Sequence, residues 1–197
     1  MRKLLIATQN EGKVKEFKRR FESDELSVLS LLDIENSPDV AETGSTFAEN
    51  AVLKAEAIMK LTNQPVIADD SGLVIDALDG DPGVYSARYA GPEKDDEANI
   101  DKVLMEMKDV PKEQRNASFH CVLAVAIPGQ NTEIFSGTCS GMITLERSGS
   151  YGFGYDPIFY VHSYGKTMAE LSPVEKNAIS HRGQALDRLE EVFKQLF

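Results

Sequence analysis

The sequence predicts an α/β fold. Short apolar runs bounded by polar or turn residues, clearest at residues 3–7 and 65–72, read as strands. Between them lie segments whose apolar residues recur at helical spacing, such as Val14, Phe17 and Phe21. With 42% hydrophobic and 27% charged residues over 197 positions, the chain has the balance of a globular protein and can bury an extensive core in one folding unit.

In chain order, residues 3–7 form a strand, the polar stretch Thr8, Gln9, Asn10, Glu11, Gly12 and Lys13 a loop, and Val14 onward a helix. The opening residues mimic a signal peptide only until Thr8, Gln9, Asn10 and Glu11 cut the apolar stretch short. A cytoplasmic protein is expected. An apolar run at 28–32 leads into an acidic surface loop over 33–42. Thr46 and Glu49 form a capping box, followed by Ala51, Val52, Ala55, Ile58 and Met59 at helical spacing until Pro65. Residues 65–72 read as a buried strand ending in two carboxylates, 73–78 as another strand, 79–91 as a glycine-rich loop, and 95–107 as a helix. Strands are predicted over 117–127, 132–139 and 142–145, then a glycine-aromatic loop over 149–157 and an apolar run at 158–161. From Ser172 the chain reads as helical, with Ala185, Leu186, Leu189, Val192, Phe193 and Leu196 on one face.

Composition narrows the function classes. No apolar run spans a bilayer, so no membrane partner is expected. A formal charge of −11 repels a polyanion and argues against nucleic-acid binding. Cys121 and Cys139 lack any C-x-x-C spacing and read as buried small hydrophobes. The expected partner is small; an anionic one needs a local cationic pocket or a bound metal.

Three constellations bear on chemistry. In Asp69-Asp70-Ser71-Gly72, adjacent carboxylates repel each other unless a proton or cation neutralises them. Mg²⁺ is suited to that task, since it binds one or two carboxylates plus waters and phosphates. The same residues also fit a turn in which one aspartate caps the next element, and alternation along a strand lets only one of the two face a site. The loop from Thr8 to Lys13 joins a strand to a helix start, where backbone N–H groups and a lysine hold phosphates, although it is not a Walker A sequence. Standing alone, the loop fits an ordinary polar connection better. Phe153-Gly154-Tyr155-Asp156 offers a ring for stacking on a base, or a tight turn with core aromatics. Lys176 and Ser180-His181-Arg182-Gly183 add cationic groups near the last helix start, His181 being open to a structural role. No histidine spacing argues for covalent catalysis.

Taken in order, Ala7 to Lys13, Glu42-Thr43-Gly44 with Phe47-Ala48-Glu49-Asn50-Ala51, Ala68 to Leu73, Pro82-Gly83-Val84-Tyr85-Ser86-Ala87-Arg88, Gly152 to Pro157 and Ser180 to Gly183 resemble the inosine triphosphate pyrophosphatase family across nearly the whole chain. The resemblance implies a mixed central sheet flanked by helices, two lobes with a substrate cleft, a homodimer, and Mg²⁺-dependent hydrolysis of ITP, dITP or XTP to the monophosphate and pyrophosphate. It also implies that Thr8, Gln9, Asn10, Glu11, Gly12 and Lys13 hold the triphosphate, that Asp70 accepts a proton and binds metal, that Asp69 assists, and that Ser71 touches substrate. Phe153, Gly154, Tyr155, Asp156, Lys176, His181 and Arg182 form the base end. Relatives often carry an acidic pair before Thr-Gly. Here that pair is Ala41-Glu42, leaving Glu42 as the second metal carboxylate.

Overall fold

The computed structural model describes residues 2–34, 38 and 40–196. Part of the predicted acidic loop, residues 35–37 and 39, lies outside the described residues. The elements are β1 (Arg2–Ile6), α1 (Glu11–Phe21), β2 (Leu26–Ser30), α2 (Phe47–Thr62), β3 (Val66–Ile75), α3 (Asp96–Glu106), β4 (Asn116–Ala126), β5 (Glu133–Ile143), β6 (Phe159–Val161), β7 (Lys166–Thr167), α4 (Pro173–Ile179) and α5 (His181–Leu196). Backbone pairing orders the strands β2-β1-β3-β4-β5-β6-β7. β1 is parallel to β2 and β3, whereas β6 is antiparallel to β5 and β7, so the sheet is mixed. Two compact units result, Met1–Asp70 with Val122–Phe135 and Ser71–Cys121 with Ser136–Phe197. Among the described residues no helix is long and apolar enough to cross a membrane.

The first unit follows the periodicities. Val14, Phe17 and Phe21 are the buried face of α1, and Asn10 caps it by accepting from the Lys13 N–H at 3.1 Å. Thr46 and Glu49 close the expected capping box on α2, which turns its Ala51, Ala55 and Ile58 face into a core with Leu5, Val66, Ala68, Val122 and Ala124. Asn63 ends α2 in the left-handed conformation, two residues before Pro65.

In the second unit, Leu73, Ile75, Ile100, Val103, Met107, Ile143, Ile158 and Phe159 belong to one core. Arg115, fully buried, acts there as a backbone staple. Its Nε donates to the Ile143 carbonyl at 2.9 Å and Nη2 to Thr144 at 2.8 Å, while Nη1 reaches Met107 at 2.5 Å and Val110 at 3.2 Å. The C-terminal end of α3 and the end of β5 are thereby joined through one guanidinium. Cys121 and Cys139 are buried thiols, as expected, and burial pushes the Cys139 thiol up to about 11.

Three boundaries differ from expectation. The strands predicted over 65–72 and 73–78 are one strand, β3, with a 3₁₀ turn at Asp76–Leu78, so the aspartate pair lies mid-strand rather than at a strand end. Ser71 and Gly72 stay extended, and the Leu73 N–H finds the Ser86 hydroxyl at 2.9 Å. The runs at 132–139 and 142–145 are likewise one strand, β5: burial alternates through Gly137, Cys139, Gly141 and Ile143, a period of two that the glycines hide from hydropathy. The helical segment after Ser172 is two helices, because Ser180 is extended at ψ 147°.

Candidate active site

The first unit gathers the predicted phosphate and carboxylate residues. Thr8, nearly buried, follows β1, and its Oγ1 accepts from the Asn10 N–H at 3.2 Å, shaping the turn into α1. Gln9, Asn10, Glu11 and Gly12 are exposed around the N-terminal end of that helix. Such an end, with its outward N–H groups, suits an anion. Lys13 projects from the first turn of α1 onto Asp69, its Nζ 2.6 Å from Oδ2. The loop's cation and one carboxylate of the predicted pair are therefore already joined.

Asp70 is attached to α2. Asn50, only 1% exposed, donates from Nδ2 to Asp70 Oδ2 at 3.1 Å, and its Oδ1 accepts from the Gly44 N–H at 2.7 Å. A Cβ at Gly44 would lie 2.7 Å from that same Oδ1, so only glycine lets the Glu42-Thr43-Gly44 segment rest there. One helical turn further, Lys54 pairs with Glu42 Oε1 at 2.6 Å and donates to the Asp69 carbonyl at 3.1 Å. Although burial opposes its charge most, the hydrogen bond it donates to Glu42 and the charges of Glu42, Asp69 and Asp70 hold Lys54 above its ordinary range. Burial pushes Asp70 up to about 6; the Glu42 and Asp69 charges add to the rise, and Asn50 and Lys54 oppose it.

That electrostatic state bears on whether a cation fits here. Among the described residues no three or more His, Cys, Asp or Glu side chains converge as a protein-only cage. Mg²⁺ needs no such cage when phosphates and waters complete its shell. A buried carboxylate raised by neighbouring carboxylates is a place where an added cation lowers the energy. Asp70 and Glu42, with hard oxygen donors, fit that requirement.

The second unit gathers the predicted base residues. Phe153 is 58% exposed, with the Lys176 ammonium 4.8 Å from its ring centroid. Asp156 Oδ2 accepts from the Phe153 N–H at 2.9 Å and also binds Lys176. Gly154 lies between them at φ +58°. Tyr155 points the other way: it is buried in the core, and its hydroxyl donates to the Ser86 carbonyl at 2.7 Å. Arg182 Nη2 reaches Ser71 Oγ at 3.4 Å from the first turn of α5, and the His181 ring stacks on Phe119 at 4.9 Å.

A sequence profile described as the Ham1 family matches residues 4–192. The chain belongs to the Ham1 family. A Ham1-family relative, the dITP/XTP pyrophosphatase of Geobacillus kaustophilus, is 59% identical over 196 residues, covering 100% of this chain and 96% of that protein. Another from Oceanobacillus iheyensis is 57% identical over 192 residues, covering 97% and 98%. Among solved structures, the Staphylococcus aureus Ham1 protein matches with a TM-score of 0.93 at 46% identity, covering 100% of both chains. The family resemblance read from the ordered motifs is thus borne out, as is the mixed α/β fold.

Sequence reasoning missed two members of the cluster around the aspartates, Asn50 and Lys54. Asn50 lies in the Phe47 to Ala51 stretch that carries the resemblance, with nothing there to mark it as a partner of a carboxylate. The available signal was spacing: Asn50 and Lys54 are four apart on a capped helix and share one face.

Proposed function

We propose that the protein hydrolyses non-standard purine nucleoside triphosphates of the cytoplasmic pool (ITP, dITP, XTP) to the monophosphate and pyrophosphate, with Mg²⁺. The observation that carries this reading is the buried Asp69–Asp70 pair with Lys13, Asn50, Lys54 and Glu42 assembled on it. A protein that only bound nucleotide has no need to bury Asp70 among the charges of Glu42 and Asp69.

Phosphoryl transfer asks for positioning and charge neutralisation. The loop from Thr8 to Lys13 offers helix-end N–H groups and an ammonium to the triphosphate, with Asp69 holding Lys13 in place beforehand. Asp70 and Glu42 would hold Mg²⁺, which supplies positive charge against the phosphate oxygens. Asp70 takes the proton of the attacking water as the α–β anhydride opens. Burial and neighbouring charges favour its protonated form in the metal-free chain, and a cation beside it would favour the ionised form that a general base needs. Phe153 and Lys176 take the base, and Arg182 donates to the 6-oxo group of hypoxanthine or xanthine, with Ser71 fixing the guanidinium. An adenine amino group there leaves those donors unpaired, a mismatch that a hydrogen-bonding site rejects by roughly 10⁴-fold.

The test is product analysis of ITP and ATP in parallel, with Mg²⁺ and with a chelator. IMP and pyrophosphate from ITP, little from ATP and none under chelation are expected. Orthophosphate as first product overturns the bond assignment; triphosphate binding without product makes the protein a sensor. The family resemblance also implies a homodimer, which light scattering on the purified chain tests.

A further inference from the structure

The loop carrying Phe153 has no secondary structure to fix its shape. Gly152 and Gly154 take φ of +86° and +58°. Its neck is closed by the Ser148 N–H on the Pro157 carbonyl at 2.9 Å, and Ser150 and Tyr151 both donate to the Ala169 carbonyl, at 3.1 and 3.0 Å. At the tip, the two peptide N–H groups flanking Phe153 end on different carboxylates. The Phe153 N–H goes to Asp156. The Gly154 N–H goes to Asp96 Oδ2 at 2.8 Å, far away in sequence on the first residue of α3.

Asp96 is not needed to cap its own helix. Asp95 does that, accepting from Glu97 N at 2.9 Å and Ala98 N at 3.1 Å. The same helix end also holds the loop's other flank. Arg147 Nη2 lies 3.0 Å from Glu97 Oε2, 3.0 Å from Asp101 Oδ1 and 3.1 Å from the Glu97 carbonyl. α3 is itself a fixed frame: Ile100 and Val103 are buried, Asn99 bridges the Ala87 carbonyl and the Ala90 N–H, and Arg115 holds the carbonyl end.

We infer that Asp96 is a specificity-positioning residue: by latching the Gly154 N–H to the start of α3, it holds Phe153 in the register at which a stacked purine presents its 6-position to the proposed Arg182 donor, with Arg147 securing the loop's other flank. This rests on the proposed base-binding role of Phe153. Asp96 touches no substrate and acts through the loop.

The experiment compares D96A, D96N, F153A and the D96A/F153A pair. In D96A the ITP-to-ATP ratio of kcat/KM falls about tenfold, the worth of one charge-assisted hydrogen bond. The loss lies in KM for ITP, with kcat nearly unchanged. D96N, whose Oδ1 still accepts from Gly154, recovers most of the ratio, and adding D96A to F153A costs nothing further. Hydrogen–deuterium exchange over residues 149–156 reads the latch without turnover: it should quicken about fivefold in D96A and stay near wild type in D96N. An unchanged ratio in D96A, effects of D96A and F153A that multiply, or unchanged exchange each overturn the inference. A wild-type chain that releases no pyrophosphate from ITP overturns the proposed function instead, and the exchange measurement then decides the latch by itself.

Discussion

The Asp69–Asp70 segment, proposed to carry the reaction, and the Phe153 loop, proposed to take the base, stand on opposite kinds of support. The aspartates sit in the middle of β3, both nearly buried, with partners on α1 and α2. Phe153 is exposed on a loop shaped by three glycines of positive φ, Gly149, Gly152 and Gly154, and a few hydrogen bonds. Groups embedded in a core strand are held rigidly, as a reaction centre requires. A ring on a tethered loop can settle onto a flat base and be tuned by its tethers. Changes in the first region should therefore act on kcat, and changes in the second on KM and selectivity.

The largest test of that division is Asp70→Asn. Loss of the general base should lower turnover of ITP by about 10²–10⁴-fold while circular dichroism shows an intact fold. Near-normal pyrophosphate release would remove Asp70 from the reaction. Arg115→Met probes the frame behind the loop rather than either site. The substitution strips donors from four carbonyls and should destabilise the protein by about 3 kcal/mol in urea titration, with kcat per folded molecule unchanged. A fall in kcat at full folding would make the second unit part of the reaction centre after all.

A third test uses the same Asp70 for stability. Its folded pKa, about 6, exceeds the ordinary 3.8, so between those values the native state binds more protons than the unfolded one. Stability in a chelator should then fall as pH rises through that window, by up to about 3 kcal/mol. Asp70→Asn should match wild type near pH 4 and melt higher than it at pH 7. Mg²⁺ at pH 7 should stabilise wild type and leave the variant unmoved. Equal melting at both pH values would mean that the acidic cluster is not strained.

How much of this was legible in the sequence differs between the two regions. The capping box at Thr46 and Glu49 and the apolar stripes of α1 and α2 place the helices that bring Lys13 and Asn50 to the aspartates, because helix spacing and caps are local signals. The continuity of β3 and β5 was not legible. Polar residues and glycines interrupt the hydropathy, and only long-range partners such as Ser86 on Leu73 keep the chain extended there. The resemblance sets Tyr155 among the base residues, whereas the alternative of a tight turn with core aromatics describes its side chain, which lies in the core with its hydroxyl on the Ser86 carbonyl. Asp96 looks in sequence like one more acidic residue at a helix start.

The smallest effect is the most discriminating between the regions. Arg182 bonds Ser71, the residue that directly follows Asp70 in the chain, yet it is assigned to the base and not to the phosphates. If that assignment holds, Arg182→Ala lowers the ITP-to-ATP ratio of kcat/KM about tenfold, as expected when one donor to a ligand carbonyl is lost. The kcat for ITP then stays within about twofold, because the base is still stacked and the anhydride still meets Asp70. An equal loss with ITP and ATP would instead mean that Arg182 acts through Ser71 on the reacting phosphates, and the division between a catalytic strand and a selective loop would have to be redrawn at that residue.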